Sequence, residues 1–402
     1  MKNVLIVCEK KDNELIEKIK ESSFWNITAF FCPYHSLAKK LKTIEKIISE
    51  NNIDFLLYEK NEQIGNFKIS EVTNTLNIGY SSFSGIDKDD FEKQMKRCFQ
   101  DFISCNINLD ITCEKIKKKS ISGKTFSLIF DLEQLGGARY GLPRILKLLK
   151  KYEIPATFFT TNLIKKVYKN VLDVVSSCGH EIGLHGLFHE YLSNYDLKEQ
   201  TKKIKIMLND FKKYKVSGSN FIGRMNEKTI EAVLKNNLKY FVFNVKNTKR
   251  FLSVYSDPLL LYFNKKSVWM VPIFVETYEK TWPEIKNQID NTLRVASKEC
   301  HLTILMHPFY DGSRDNIKKL EKMIEYLYEK NMTPVRLDEK VKSMKTYKPE
   351  KLIKFHIEGN DEKNKILRMI KFVKNRLKIN KIINCYWNFK KQGKQVALYF
   401  GG

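Results

Sequence analysis

Three short strand-like segments in this chain, two of them apolar runs and one rich in small residues, each lead into ionisable residues. Phe126–Phe130 runs into Asp131 and Glu133, the segment from Cys178 to Leu184 runs into His185, and Leu302–Met306 runs into His307. Apolar runs of this length, bounded by polar residues, read as buried strands. Residues i and i+2 of a strand share a face, so Asp131 and Glu133 can reach one pocket. The fold therefore has to be one in which strand ends can collect chemistry from distant parts of the sequence.

The chain has 402 residues and 43% hydrophobic content, enough for two or three domains. Residues 1–115 read as a small α/β domain. Its expected strands are Val4–Val7, Ile27–Phe31 and Phe55–Tyr58, alternating with helices at Asn13–Ser22, Leu37–Glu50 and Asp90–Cys105. It holds no GxGxxG and no P-loop, so nothing supports a nucleotide site there. The Lys-rich stretch Glu114–Lys124 reads as a linker, and a second domain is expected over 120–345. Beyond a boundary near 346, residues 346–402 read as a short basic helical C-terminal extension, whose helix at 361–378 interleaves Ile366, Met369 and Phe372 with Lys365, Arg368 and Lys371. Such a helix either packs on the body with a solvated basic face or meets a membrane surface or polyanion.

Lys and Arg number 71 against 46 Asp and Glu, a formal net charge of +25. This favours polyanionic partners, although a Lys-rich residue usage supplies much of it. The charge is spread along the chain and no nucleic-acid motif accompanies it, so no specific nucleic acid is expected. The eight Cys show no CxxC spacing and are expected to be reduced thiols. The apolar run Val4–Val7 is too short for a signal-peptide core, and no stretch approaches a membrane span. The expected location is cytoplasmic, with contact at the inner membrane face as an extension of it.

Three of the seven His lie in the segment GHEIGLHGLFH, at His180, His185 and His189. His185 and His189 are spaced i, i+4, which on a helical turn sets both imidazoles on one side of a metal ion. By itself that spacing more often marks surface or core histidines. An acidic partner from another strand end turns it into a 2-His-1-carboxylate set with open coordination positions, able to polarise a carbonyl and activate water. His307, at the end of its own strand, titrates in the range a general acid needs.

Taken in order, these segments resemble the polysaccharide deacetylase family (carbohydrate esterase family 4), over about 220 residues, a span typical of one large domain. The resemblance rests on F-D-L-E at Phe130–Glu133, on the helix Gly136–Lys151 running into I-P-A-T-F-F, on G-H-E-I-G-L-H at Gly179–His185, and on L-M-H at Leu305–His307. It implies an α/β fold with a distorted, incomplete (β/α) barrel. It also implies Asp131 as catalytic base, His307 as catalytic acid, and Arg224 as the residue that holds the base. Glu133, His185 and His189 are implied as ligands of a divalent metal, with zinc expected. The chain departs from the family at three points. Leu132 stands where the family usually has a second Asp, so the pattern is that of the D-x-D/E members. Arg224-Met225-Asn226 replaces R-x-P and an aromatic. No acidic-acidic-Trp motif is found, and Glu276 stands nearest to it.

The implied reaction is removal of an N-acyl group, acetyl or formyl, from an amino sugar of a glycan, glycolipid or sugar precursor. Its partners are the sugar substrate and, by the basic charge, a membrane surface. The competing reading is a non-catalytic glycan-binding or scaffold descendant, which need hold no metal.

Overall fold

The computed structural model describes residues 106–116, 123–187, 189–223, 225–244, 258–263, 266–295 and 300–344, the strands at 2–8, 25–31, 55–58, 76–78, 351–355 and 396–400, and positions 97, 98, 101 and 104. Strands β1 (Lys2–Cys8), β2 (Trp25–Phe31), β3 (Phe55–Tyr58) and β4 (Leu76–Ile78) form a four-stranded sheet of order β2-β1-β3-β4. All its pairings are parallel, as the strand and helix alternation predicts. The expected helices Asn13–Ser22 and Leu37–Glu50 lie outside the described residues. Of Asp90–Cys105, positions 97, 98, 101 and 104 are helical.

The second sheet begins with β5 (Thr125–Leu132), β6 (Thr157–Thr160), β7 (Glu181–Leu184), β8 (Gly218–Ser219) and β9 (Tyr240–Asn244). It continues through β10 (Leu259–Phe263), β11 (Lys266–Ile273), β12 (Val275–Glu276), β13 (His301–Met306) and β14 (Thr333–Pro334). Strands β5 to β9 lie side by side in sequence order, all parallel, and β13 pairs with the other edge of β5. The run Lys266–Glu276 curls this sheet. Its first part pairs with β9 as β11, Phe274 donates its N–H to Thr303, and its last part pairs with β13 as β12. The result is a distorted (β/α) barrel.

Along β5 the side chains divide strictly by parity. Phe126, Leu128, Phe130 and Leu132 join the outer core beneath the helices, whereas Ile129 joins Phe159, Tyr240, Val271 and Leu305 inside the barrel. The helix α1 (Leu142–Lys151) covers the outside with Ile145, Leu146 and Leu149. Pro143 stands in its first turn, and Lys150 and Lys151 meet its negative end. Helices α2 (Asn162–Val167) and α3 (Val171–Ser177) link β6 to β7, and α4 (Leu197–Asp210) links β7 to β8. Thr161 caps α2 by accepting the Ile164 N–H, and Asp196 caps α4 by accepting the Glu199 N–H.

After β8 comes α5 (Glu227–Lys235), capped by Asn226, whose side chain accepts the Thr229 N–H at 2.9 Å. Asn226, which stands where the family's R-x-P pattern has its proline, is thus a helix cap. The barrel is completed by α6 (Trp282–Val295), α7 (Pro308–Asp311), α8 (Ile317–Glu329) and α9 (Leu337–Ser343). Leu337 and Val341 of α9 plug the amino end of the barrel. None of the described helices is long and apolar enough to cross a membrane.

Three features extend the sequence reading. Cys98, Leu109 and Ile116 belong to the barrel's hydrophobic core, so part of the stretch before residue 116 packs on the second domain. Strands β15 (Lys351–Phe355) and β16 (Val396–Phe400) add to the barrel sheet through β10, so the C-terminal region contributes strands; the helix expected at 361–378 lies outside the described residues. Finally, Cys113 and Cys178 form a disulfide with Cα atoms 5.6 Å apart, which corrects the expectation of reduced thiols for this pair. Spacing along the chain could not reveal it, because a backbone hydrogen bond from Ile116 to the Cys178 carbonyl draws the 106–116 strap alongside the end of α3. Cys98 and Cys300 are buried and stand outside this disulfide.

Candidate active site at the carboxyl ends of the barrel strands

The carboxyl ends of β5, β7, β8 and β13 open onto one pocket, the position where open and closed parallel sheets collect functional groups. Asp131 and Glu133 come from the end of β5, His185 follows β7, Asn220 follows β8 and His307 follows β13. Parity along β5 sends Asp131 and Glu133 to this pocket and Leu132 into the outer core, fully buried.

Glu133, His185 and His189 present one donor atom each, all within 4.8 Å of one another. His185 Nε2 lies 2.8 Å from Glu133 Oε2, and His189 Nε2 bonds to the same oxygen. His189 reaches it with a positive φ of 73°, a turn rather than a continued helix. On the far side of the His185 ring, Nδ1 donates to the Asn220 carbonyl. That bond fixes the ring and turns Nε2 into the cluster, as an outer hydrogen bond does for a metal-ligating histidine. Two imidazoles, one carboxylate and a fixed tautomer suit a divalent ion with open positions.

Asp131 is buried beside this trio. Its Oδ1 lies 3.7 Å from His185 Nδ1 and its Oδ2 lies 3.9 Å from His307 Nε2. Asn220 Nδ2 donates to both oxygens, at 2.8 and 2.9 Å. His307 is anchored through its backbone N–H, which Asp311 accepts at 2.8 Å. Its ring meets that of Tyr278 edge to face at 5.6 Å, and its Nδ1 is buried with no hydrogen-bond partner among the described residues. Thus no carboxylate among them orients the ring through Nδ1, in keeping with the missing acidic motif.

The charges are strongly interdependent. Burial raises the Asp131 carboxyl above its ordinary value, and the neighbouring His185 and His307 only partly offset this. Burial acts on Glu133 in the same sense, but His189 and His185 outweigh it and hold its carboxyl well below the usual range. Burial pulls the His185 imidazolium down, yet Asp131 and Glu133 prevail and hold it up at about 9. Carboxylates and imidazoles set this close offer a cation several donor atoms at once.

Residues 118–241 match the model of the polysaccharide deacetylase family. Within that stretch the chain is similar to the family. Over 50 residues it is 42% identical to a peptidoglycan deacetylase of Helicobacter pylori, a match covering 12% of this chain and 17% of that relative's length. A Mycobacterium smegmatis structure described as a polysaccharide deacetylase aligns with a TM-score of 0.45 and 16% identity, over 60% of this chain and 100% of that one. A Bacillus anthracis structure described as a family pseudoenzyme aligns at 0.39 and 18%, over 58% of this chain and 70% of that one.

Of the site residues expected from the resemblance, Asp131, Glu133, His185, His189 and His307 come together, and Arg224 lies outside the described residues. His180 stays apart: it is buried at the amino end of β7, where its Nδ1 accepts the Ala156 N–H at 3.1 Å. Glu276 ends β12, but it is Asp311 that grips His307. Sequence reading misses Asn220. A signal exists in its position, one residue past a strand that ends beside β7, but a two-residue strand such as Gly218–Ser219 leaves no periodicity to read.

Proposed function

We propose that the barrel is a metal-dependent carbohydrate N-deacylase that removes an acetyl or formyl group from an amino sugar. The observation that carries this reading is the convergence of a three-donor metal set with a carboxylate and a second imidazole in one pocket. Glu133, His185 and His189 would hold the ion, zinc in this reading, which when bound supplies Lewis acidity to the acyl carbonyl and to water. Asp131 faces that space as the general base and takes a proton from the attacking water. His307, whose Nε2 lies 3.9 Å across the gap from Asp131, gives a proton to the departing sugar nitrogen. The products are the free carboxylate and the amine, so one water is consumed per turnover. The base and the acid thus serve one reacting carbon from two strand ends, β5 and β13, which pair directly with each other.

The substrate class proposed is an amino sugar of a glycan under construction or of a phosphate-bearing glycolipid. The +25 charge supports the glycolipid and a peripheral position at an anionic membrane face. The 42% identity to a peptidoglycan deacetylase supports a cell-wall precursor equally.

Elemental analysis of purified protein tests the site. About one equivalent of divalent metal is expected in wild type and none in the double variant His185→Ala, His189→Ala. His307→Ala should keep its metal and lose turnover of N-acetylated or N-formylated amino sugars by about 100-fold or more. Metal-free wild type under metal-replete conditions would transfer the weight to a glycan-binding role, and full activity of His307→Ala would remove it from the mechanism. Sedimentation with anionic liposomes tests the glycolipid branch, which lack of binding would strike.

A further inference from the structure

Asn220 touches both halves of the pocket at once. Its backbone N–H donates to the Leu184 carbonyl at 2.9 Å, which ties it to the end of β7. Its backbone carbonyl accepts from His185 Nδ1, and its side-chain amide donates to both oxygens of Asp131. The residue is buried, at 7% exposure, so these bonds form away from competing water. The amide must present its nitrogen to Asp131, since the reverse orientation would set an amide oxygen against a carboxylate.

The bonds divide cleanly by atom. The His185 contact is made by the backbone and survives any side-chain replacement that leaves β8 intact. The Asp131 contact is made by the side chain alone. Among the described residues Asn220 supplies both hydrogen bonds that Asp131 accepts, because the two imidazoles facing that carboxylate stand 3.7 and 3.9 Å away, beyond hydrogen-bond reach. A carboxylate flanked by two imidazoles and released from its donor would rotate toward one of them and leave the line on which it faces the reacting space.

We infer that Asn220 is the positioning residue for Asp131, holding the carboxylate plane through its amide while its backbone orients His185. This rests on the deacylase reading for its kinetic consequence and on geometry alone for its structural one. In the family pattern an arginine holds the base, and Arg224 is the holder expected here. The neutral amide at position 220 does the gripping without adding a positive charge to the pocket.

The test uses Asn220→Asp, which keeps the shape and removes the donor, beside Asn220→Ala. Both are measured in the full-length chain for metal content, melting temperature, and kcat and KM on an N-acetylated amino sugar. A loss of kcat of about 100-fold is expected in both, with metal content retained and KM within about twofold, the size of effect that follows misplacing a reacting group by an ångström. A purely structural role would instead lower metal content and melting temperature and leave kcat per metal-loaded site intact. That pattern, or wild-type kcat in Asn220→Asp, overturns the inference. If a variant fails to fold, Asn220→Ser, with one donor on a shorter arm, takes its place: a smaller kcat loss of about tenfold supports the inference and an unchanged kcat overturns it. If the wild type turns over no acylated sugar, the deacylase reading fails by itself. The inference is then read from crystal structures of the variants, in which Asp131 should rotate away from its wild-type orientation; an unmoved Asp131 overturns it.

Discussion

Gly141 lies directly against the carbonyl of Pro308, the residue that follows His307. Any side chain at Gly141 would run into that oxygen, and one at Gly137 would meet the Phe309 backbone nitrogen at 2.9 Å. Arg144 closes the same contact by donating to the Gly312 carbonyl at 3.0 Å. The turn 137–141 and helix α7 therefore interlock backbone to backbone, and the G-A-R-Y-G-L-P segment serves as the seat of the strand end that carries His307. Gly141→Ala should destabilise the fold by about 1–3 kcal/mol, as overpacking does in a filled interior. It should also lower turnover more than the stability loss explains, because His307 moves with α7. A thermal melt paired with kcat on metal-loaded protein checks both, and unchanged values would show that the contact gives way freely.

Leu132 invites an experiment suggested by the sequence alone, restoration of a second acid next to Asp131. The strand forbids it from working. Leu132 points away from Asp131 and Glu133 into the helix-covered core, so Leu132→Asp would bury a lone carboxylate there and supply no ligand. The expected result is a loss of about 3 kcal/mol or more in denaturant unfolding, with no gain in metal affinity. Tighter metal binding in this variant would mean that the register of β5 differs from the one described.

The β5 case shows what kind of information the sequence carries. Strand parity, with i and i+2 on one face, is enough to send Asp131 and Glu133 to the same pocket, and the apolar runs are enough to locate β5 and β13. Spacing is a poorer guide at His189, which arrives by a positive-φ turn instead of the helical turn that i, i+4 implies. The strand end at β8 is silent for a different reason. Asn220 reaches Asp131 from a position set by a two-residue strand that pairs with β7. Contacts made by backbone atoms, such as the Asn220 carbonyl to His185 or Gly141 to Pro308, have no residue-type signature and exist only in three dimensions.

The disulfide between Cys113 and Cys178 closes a loop of 65 residues in sequence separation and pins the 106–116 strap to the end of α3, just before the strand that leads to His185. Its removal should cost about 2–4 kcal/mol, because the strap regains freedom in the unfolded chain. The strap also holds Leu109 through Asn170, whose side chain both donates to and accepts from the Leu109 backbone, so the fold itself should persist. Dithiothreitol is expected to lower the melting temperature of wild type and leave that of Cys113→Ser unchanged. Equal responses of the two proteins would show that the pair is not bridged in solution.

Stability should pass through a maximum with pH, set by two adjacent residues at the amino end of the barrel. His180 is buried and its pKa is pushed down to about 3, chiefly by burial and further by Arg336. The unfolded chain takes up this proton near the ordinary 6.5, so below that pH the unfolded state binds more protons and stability is lost until about pH 3. Glu181 works in the opposite sense. Burial first, and Asp338 second, raise its pKa to about 8, so the stability it contributes is present below its ordinary 4.5 and is lost as pH rises through 8. Each group adds a slope of up to about 1.4 kcal/mol per pH unit within its window. His180→Asn keeps an acceptor for the Ala156 N–H without a titrating ring and should flatten the acid limb. Glu181→Gln should flatten the alkaline limb, although the bonds from Thr157, Tyr240 and the Asp338 N–H that converge on this carboxyl will not all be reproduced. Melting temperatures of the three proteins from pH 4 to 9 separate the two effects. An acid limb as steep in His180→Asn as in wild type would assign that loss to other groups, among which the buried His301, also pushed well below its ordinary value, is the first to replace.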